Sequence, residues 1–179
     1  MTSLPLTQPQ RSALVDTSLA LLLQEQPEAQ QLVDVVSAGD PGRRRLALRA
    51  LLAMRPAIPL PVELNVSLER LLAAEAAERE TVDALSLPRT EVDPRLFLWR
   101  GDITTIRADA IVNAANSTLL GCFQPLHACI DNAIHSAAGP WLRQECADIM
   151  AARDRPESTG TATVTSGYHL PATHVIHTV

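Results

Sequence analysis

The stretch DAIVNAANS, residues 109–117, followed by LGCFQPLHACIDNAIHSAAG, residues 120–139, decides how this chain is read. An apolar, β-branched run begins after Asp109 and ends among two alanines and two amides, as a buried strand does when it runs out into a loop. Small residues there let a ligand approach the backbone, and Asn113 and Asn116 offer donors and acceptors to sugar hydroxyls; an Asn-rich turn is the plainer alternative. The second stretch places two thiols and an imidazole, Cys122, His127 and Cys129, close together. Thiolate and imidazole are donors that zinc prefers, and three of them leave one coordination position open, the pattern of a catalytic or substrate-binding ion. Two alternatives stand beside it: buried small hydrophobes around a polar histidine, or a structural site closed by Cys146 or another histidine. Asp131 follows in the first turn of a helix, where the dipole alone favours a carboxylate; beside a metal ligand it could also orient a water or a ribose hydroxyl. His135, one turn later, reads as a core or capping residue.

Around this centre lie further short runs bounded by Gly, Asp or Pro: LFLW at 96–99, TATVTS at 161–166 and THVIHTV at 173–179. They predict strands, and the stretch from about Leu126 to Ala152 predicts helix with a break at Gly139-Pro140. Strand, strand, helices, strand, strand makes an α/β domain beginning near Leu96. GDIT at 101–104 sits between its first two strands, where Asp102 could accept from an exocyclic amine or merely cap a turn. Upstream the pattern is helical: residues 9 to about 55 read as two or three helices, with the apolar runs LALLLQ within 18–26, LVDVV within 29–37 and LALRALLAM within 43–55, and a turn at Gly39-Asp40-Pro41-Gly42. Prolines 56, 59 and 61 predict an extended connector through IPLPVEL, after which Asn65 or Ser67 would cap a helix running to about Asp83.

Composition agrees with a folded, core-forming chain: 179 residues, 46% hydrophobic and 20% charged. The net charge of -5 excludes the basic footprint of a nucleic-acid binder, while a diphosphate could still be held by backbone N–H groups. Apolar runs are too short for a membrane helix, and MTSLPLTQPQR carries no readable export signal, so a cytoplasmic location is expected. Three cysteines, an odd number, argue against a disulfide framework.

GDIT, NAAN, AIH-x-AAG and THVIHTV together resemble the macrodomain family, and the Cys-His-Cys insertion before Asp131 resembles its zinc-containing bacterial branch. The resemblance covers about residues 96–179. It implies an α/β fold with a macrodomain-type mixed sheet sandwiched by helices, preceded by an all-helical extension over 1–88 and a linker at 89–95. It further implies that Asp102 and Ile103 contact the adenine of ADP-ribose and Asn116 its distal ribose. Cys122, His127 and Cys129 would bind Zn2+, and Cys129, Ile130, Asp131 and Asn132 would line the phosphate and distal-ribose part of the pocket. The implied reaction is hydrolytic removal of ADP-ribose from acidic side chains of a modified protein, with Asn116 and Asp131 catalytic. A lipoyl-carrier protein is the partner that some relatives would suggest. Macrodomains continue past IHTV with further strands, helices and a diphosphate-binding loop, so the chain is expected to hold only the first part of such a domain. An ADP-ribose-binding module without turnover, and an inactive remnant with a structural metal, are the alternatives.

Overall fold

A computed structural model describes residues 5–38, 40, 42–153 and 155–179. Gly39 and Pro41 of the expected turn, and the first four residues of the leader stretch, lie outside the described residues. Helix α1 spans Gln8–Glu25, α2 Gln30–Ser37, α3 Arg43–Met54 and α4 Val62–Glu78. Helix α1 starts close to the expected residue 9, well before its apolar run, because Thr7 and Gln10 form a capping box, which satisfies N–H groups that a helix start leaves without partners. Helix α4 also starts early. Asn65 and Ser67 lie inside it and Pro61 takes the cap position, so the extended connector is shorter than the prolines imply. Proline tolerates that place because the first N–H groups of a helix have no intrahelical partner. The four helices bury Val15, Leu19, Leu22, Leu48, Leu51 and Leu68 among others in one core. Among the described residues no helix is long and apolar enough to cross a membrane.

The second part holds a two-stranded sheet and a separate mixed three-stranded one. Two-residue strands β1 (Val82–Asp83) and β2 (Ile106–Arg107) pair in parallel. Strand β3 (Ala110–Ala114) lies parallel to β5 (His174–Thr178), which is central and antiparallel to β4 (Ala162–Ser166). Side chains alternate, so Ile111, Asn113, Thr165, Val175 and His177 face inward while Val112 and Val164 remain exposed. Helices α5 (Ile130–Ala138) and α6 (Pro140–Ala151) cover the inward face, burying Ile134, Ala138, Leu142 and Cys146 against it. Gly139, at φ 96°, makes the break between them, as Gly-Pro predicts.

The expected strand at LFLW does not form. Phe97 makes a single bridge to Arg89, and Leu96 and Leu98 are exposed. Propensity alone does not hold a strand that lacks a partner ladder. The helical and α/β parts are joined by specific contacts: Trp141 packs on the helical core and donates from Nε1 to Asn65 Oδ1 at 2.9 Å. Arg79 reaches the carbonyls of Thr104 and His169 at 3.4 and 3.1 Å.

Candidate metal centre and adjoining pocket

The loop after β3 is shaped by its own side chains. Asn116 Oδ1 accepts from the Thr118 N–H at 3.0 Å, and its Nδ2 donates to the Gly121 carbonyl at 3.0 Å, closing residues 116–121 into a compact turn. Gly121 has φ 78°, and a Cβ there would lie 2.9 Å from the His135 ring. Both the backbone conformation and the close approach require glycine. Past it, residues 122–129 loop back so that Cys129 becomes the N-cap of α5, its sulfur accepting from the Asn132 N–H at 3.3 Å. The helix expected from Leu126 therefore begins at Ile130, behind this cap.

Folding in this way gathers the three predicted donors. The ligand atoms of Cys122, His127 and Cys129 all lie within 4.8 Å of one another, and Cys122 Sγ is 3.6 Å from His127 Nδ1. Zinc bond lengths of about 2.3 Å to sulfur and 2.0 Å to nitrogen place tetrahedral ligands roughly 3.5 Å apart. The donor set and its spacing thus fit the ion. The two cysteines are half-buried and His127 is exposed, so one side of the centre faces solvent. Burial and the neighbouring Cys122 push the Cys129 thiol up, while the Asn132 N–H pulls it the other way.

Cys146 does not join this centre. It sits with His135 and His177 in a second, fully buried group of soft donors within 4.8 Å. Hydrogen bonding accounts for His177 there. Asn113 Nδ2 donates to Asp131 Oδ1 at 2.8 Å and faces His177 Nδ1 at 3.2 Å. Because a carboxylate needs a donor, this atom is the amide nitrogen. His177 Nδ1 then accepts, and Nε2 keeps its proton for Thr165 Oγ1 at 3.0 Å, leaving no lone pair for a metal. Burial raises the Cys146 thiol to about 12.

Burial likewise pushes His135 down to about 3, with Arg143 and His177 adding to it, and His177 to about 4. Both folded values lie below the ordinary 6.5, so the unfolded chain takes up protons first as pH falls. Stability is full above that pH and declines below it, by roughly 1.4 kcal/mol per pH unit for each neutral buried histidine. The urea midpoint is expected to stay level from pH 8 to 7 and to fall steadily from 6.5 to 5. A level midpoint across both ranges would contradict the burial of neutral imidazoles.

Asp131 is buried, 6% exposed, at the start of α5. Its carboxyl is pushed up by burial and pulled down by Asn113 and Arg143. His135 Nε2 is 3.5 Å from Asp131 Oδ1, too far for a hydrogen bond, and both His135 ring nitrogens lack partners. The Asn132 Nδ2 donates to the Gln124 carbonyl, and its Oδ1 accepts from Arg49 and Ser136, which leaves one amide hydrogen free. Asn132 ties the 122–129 loop to α5 and to the helical part. Ile130 is exposed beside it. Asp102 caps the 3-10 turn Ile103–Thr105, accepting from Thr104 N at 2.9 Å, and this turn packs against α5. Asp102 is exposed, and Ile103 is half-buried against the core that α5 covers.

Sequence reasoning missed two residues. Asn113 was grouped with Asn116 as a sugar-facing amide, yet strand alternation places it inward with Ile111, behind Asp131. Arg143 carried no signal in the sequence. It is buried and bonds carbonyls from both parts of the chain.

Residues 112–179 match the Macro domain family, a segment that holds most of β3, the helices α5 and α6, and strands β4 and β5. A protein-ADP-ribose hydrolase of Staphylococcus aureus (strain MSSA476) is 44% identical over 131 residues, 73% of this chain and 48% of the relative. One from Treponema medium is 58% identical over 83 residues, 46% of this chain and 32% of the relative. The chain thus spans half or less of the length of these curated relatives. Among solved structures, a Trypanosoma brucei macrodomain in complex with ADP-ribose is 32% identical, covering 73% of this chain and 58% of that one, with a TM-score of 0.47.

Proposed function

We propose, from the macrodomain character of residues 112–179, that the protein is a zinc-dependent hydrolase that removes ADP-ribose from acidic side chains of modified proteins. The observation that carries this reading is the convergence of Cys122, His127 and Cys129 at the N-cap of the helix that holds Asp131. Binding a nucleotide needs no metal, so a soft-donor centre beside a buried carboxylate favours turnover over binding alone. The names of the relatives from Staphylococcus aureus and Treponema medium point the same way.

In this reading Asp102 and Ile103 meet the adenine, Asn116 the distal ribose, and residues 129–132 the phosphate and ribose edge. Asn116 keeps one amide hydrogen free of the loop for a ribose hydroxyl, since Nδ2 makes one bond to Gly121. Asp131, held at Oδ1 by Asn113, presents its other oxygen to orient a ribose hydroxyl or the attacking water. Zinc held by Cys122, His127 and Cys129 would polarise an oxygen of the distal ribose or of the modified carboxylate. The modified protein, which a lipoyl-carrier protein exemplifies, and a cytoplasmic setting belong to the same reading.

The test is release of free ADP-ribose from a protein mono-ADP-ribosylated on Asp or Glu. Multiple turnovers are expected with zinc-loaded protein, and reduced turnover after chelation that zinc restores. Stoichiometric capture of the modified protein without release would support the binding module instead.

A further inference from the structure

We propose that Arg143 is a positioning residue for the metal loop, coupling the end of α3 to the placement of Cys122; the proposal rests on the metal centre described above. The guanidinium grips two segments far apart in sequence. The two hydrogens of its Nη1 are shared among the carbonyls of Leu52, Ala53 and Arg55 at 3.0, 3.0 and 2.7 Å, groups at the C-terminus of α3 that a helix end leaves unbonded. Its Nε donates to the Leu120 carbonyl at 2.7 Å. Its face stacks on Phe123, with the guanidinium carbon 4.4 Å from the ring centroid.

Leu120 and Phe123 bracket Cys122. The first metal ligand therefore lies in a short span whose two ends are fixed on one buried side chain. Behind Cys122 the packing is not continuous: a cavity lined by Arg49, Arg55, Trp141 and Arg143, among others, reaches it. On that side the loop is held by discrete contacts to a planar fork rather than by close packing. Arginine suits this task because its donors have fixed directions, whereas a lysine offers one compact ammonium on a flexible stem. The helical part, through α3, thereby sets the geometry of the centre as well as adding a core.

Groups that orient metal ligands typically change metal affinity roughly 10- to 100-fold when removed. The experiment is chelator competition for zinc with the purified protein and three variants. Arg143→Lys is expected to hold zinc roughly 10- to 100-fold more weakly. Phe123→Ala, at a residue already 42% exposed, keeps the fold and is expected to lose roughly two- to fivefold, the size of an exposed cation–π contact. Arg45→Gln removes the Arg45–Glu75 pair inside the helical part, away from the C-terminal end of α3 and from the loop. It is expected to lower stability and leave zinc affinity unchanged. Unchanged affinity in Arg143→Lys and Phe123→Ala, or an equal loss in Arg45→Gln, overturns the proposal. If Arg143→Lys fails to fold, Phe123→Ala against Arg45→Gln decides it. A wild-type protein that holds no zinc overturns the metal centre and this proposal together, whereas tight zinc in every variant overturns only the latter.

Discussion

Replacing Cys129 by serine is expected to empty the metal centre while leaving α5 intact. Serine is among the best N-cap residues, and its hydroxyl can accept from the Asn132 N–H as the sulfur does. The helix start, and the burial of Asp131 and Ile134 behind it, should therefore survive. A neutral hydroxyl is a poor zinc donor beside a thiolate, and two remaining ligands do not hold the ion. Zinc content should fall from about one per chain to near zero, with the circular dichroism spectrum and the metal-free melting temperature little changed. Hydrolysis should fall with the zinc. A Cys129→Ser protein that retains zinc stoichiometrically would remove this cysteine from the centre.

The second large effect concerns Asp131→Asn. The side chain keeps its size, and the new amide can turn its oxygen toward Asn113 Nδ2, so the buried contact at 2.8 Å is preserved. What disappears is the carboxylate. If Asp131 orients the attacking water or accepts its proton, kcat should fall on the order of 10²- to 10⁴-fold. Loss of a ribose contact alone would instead appear as weaker binding with little change in kcat. Measuring kcat by ADP-ribose release and affinity by calorimetry with free ADP-ribose separates the two. Full activity in the variant would exclude Asp131 from the chemistry.

The convergence of the three soft donors was legible because they are close in sequence. The Cys122, His127 and Cys129 spacing needs only one loop and one helix cap to converge, and both are local events. The Gly139 break was legible for the same reason, since Gly-Pro punctuates a helix whatever surrounds it. LFLW was misread because apolar content does not reveal whether a partner strand lies alongside. The start of α4 at Val62 was missed because Asn65 and Ser67 carry the side chains that favour a cap, whereas Pro61 takes that position with no side-chain hydrogen bond. Asn113 could have been read correctly by carrying the strand alternation one residue beyond Ile111. Arg143 could not. Its partners lie about 90 residues upstream and 23 upstream, and only the docked helices bring them to one guanidinium.

The measurement that bears most directly on the proposed centre is zinc K-edge X-ray absorption on the purified protein. Two sulfur ligands at about 2.3 Å and one imidazole nitrogen at about 2.0 Å, with a fourth light ligand from solvent, are expected. Four protein ligands in a closed shell, a sulfur count other than two, or no bound zinc would contradict an open Cys122, His127 and Cys129 centre beside Asp131.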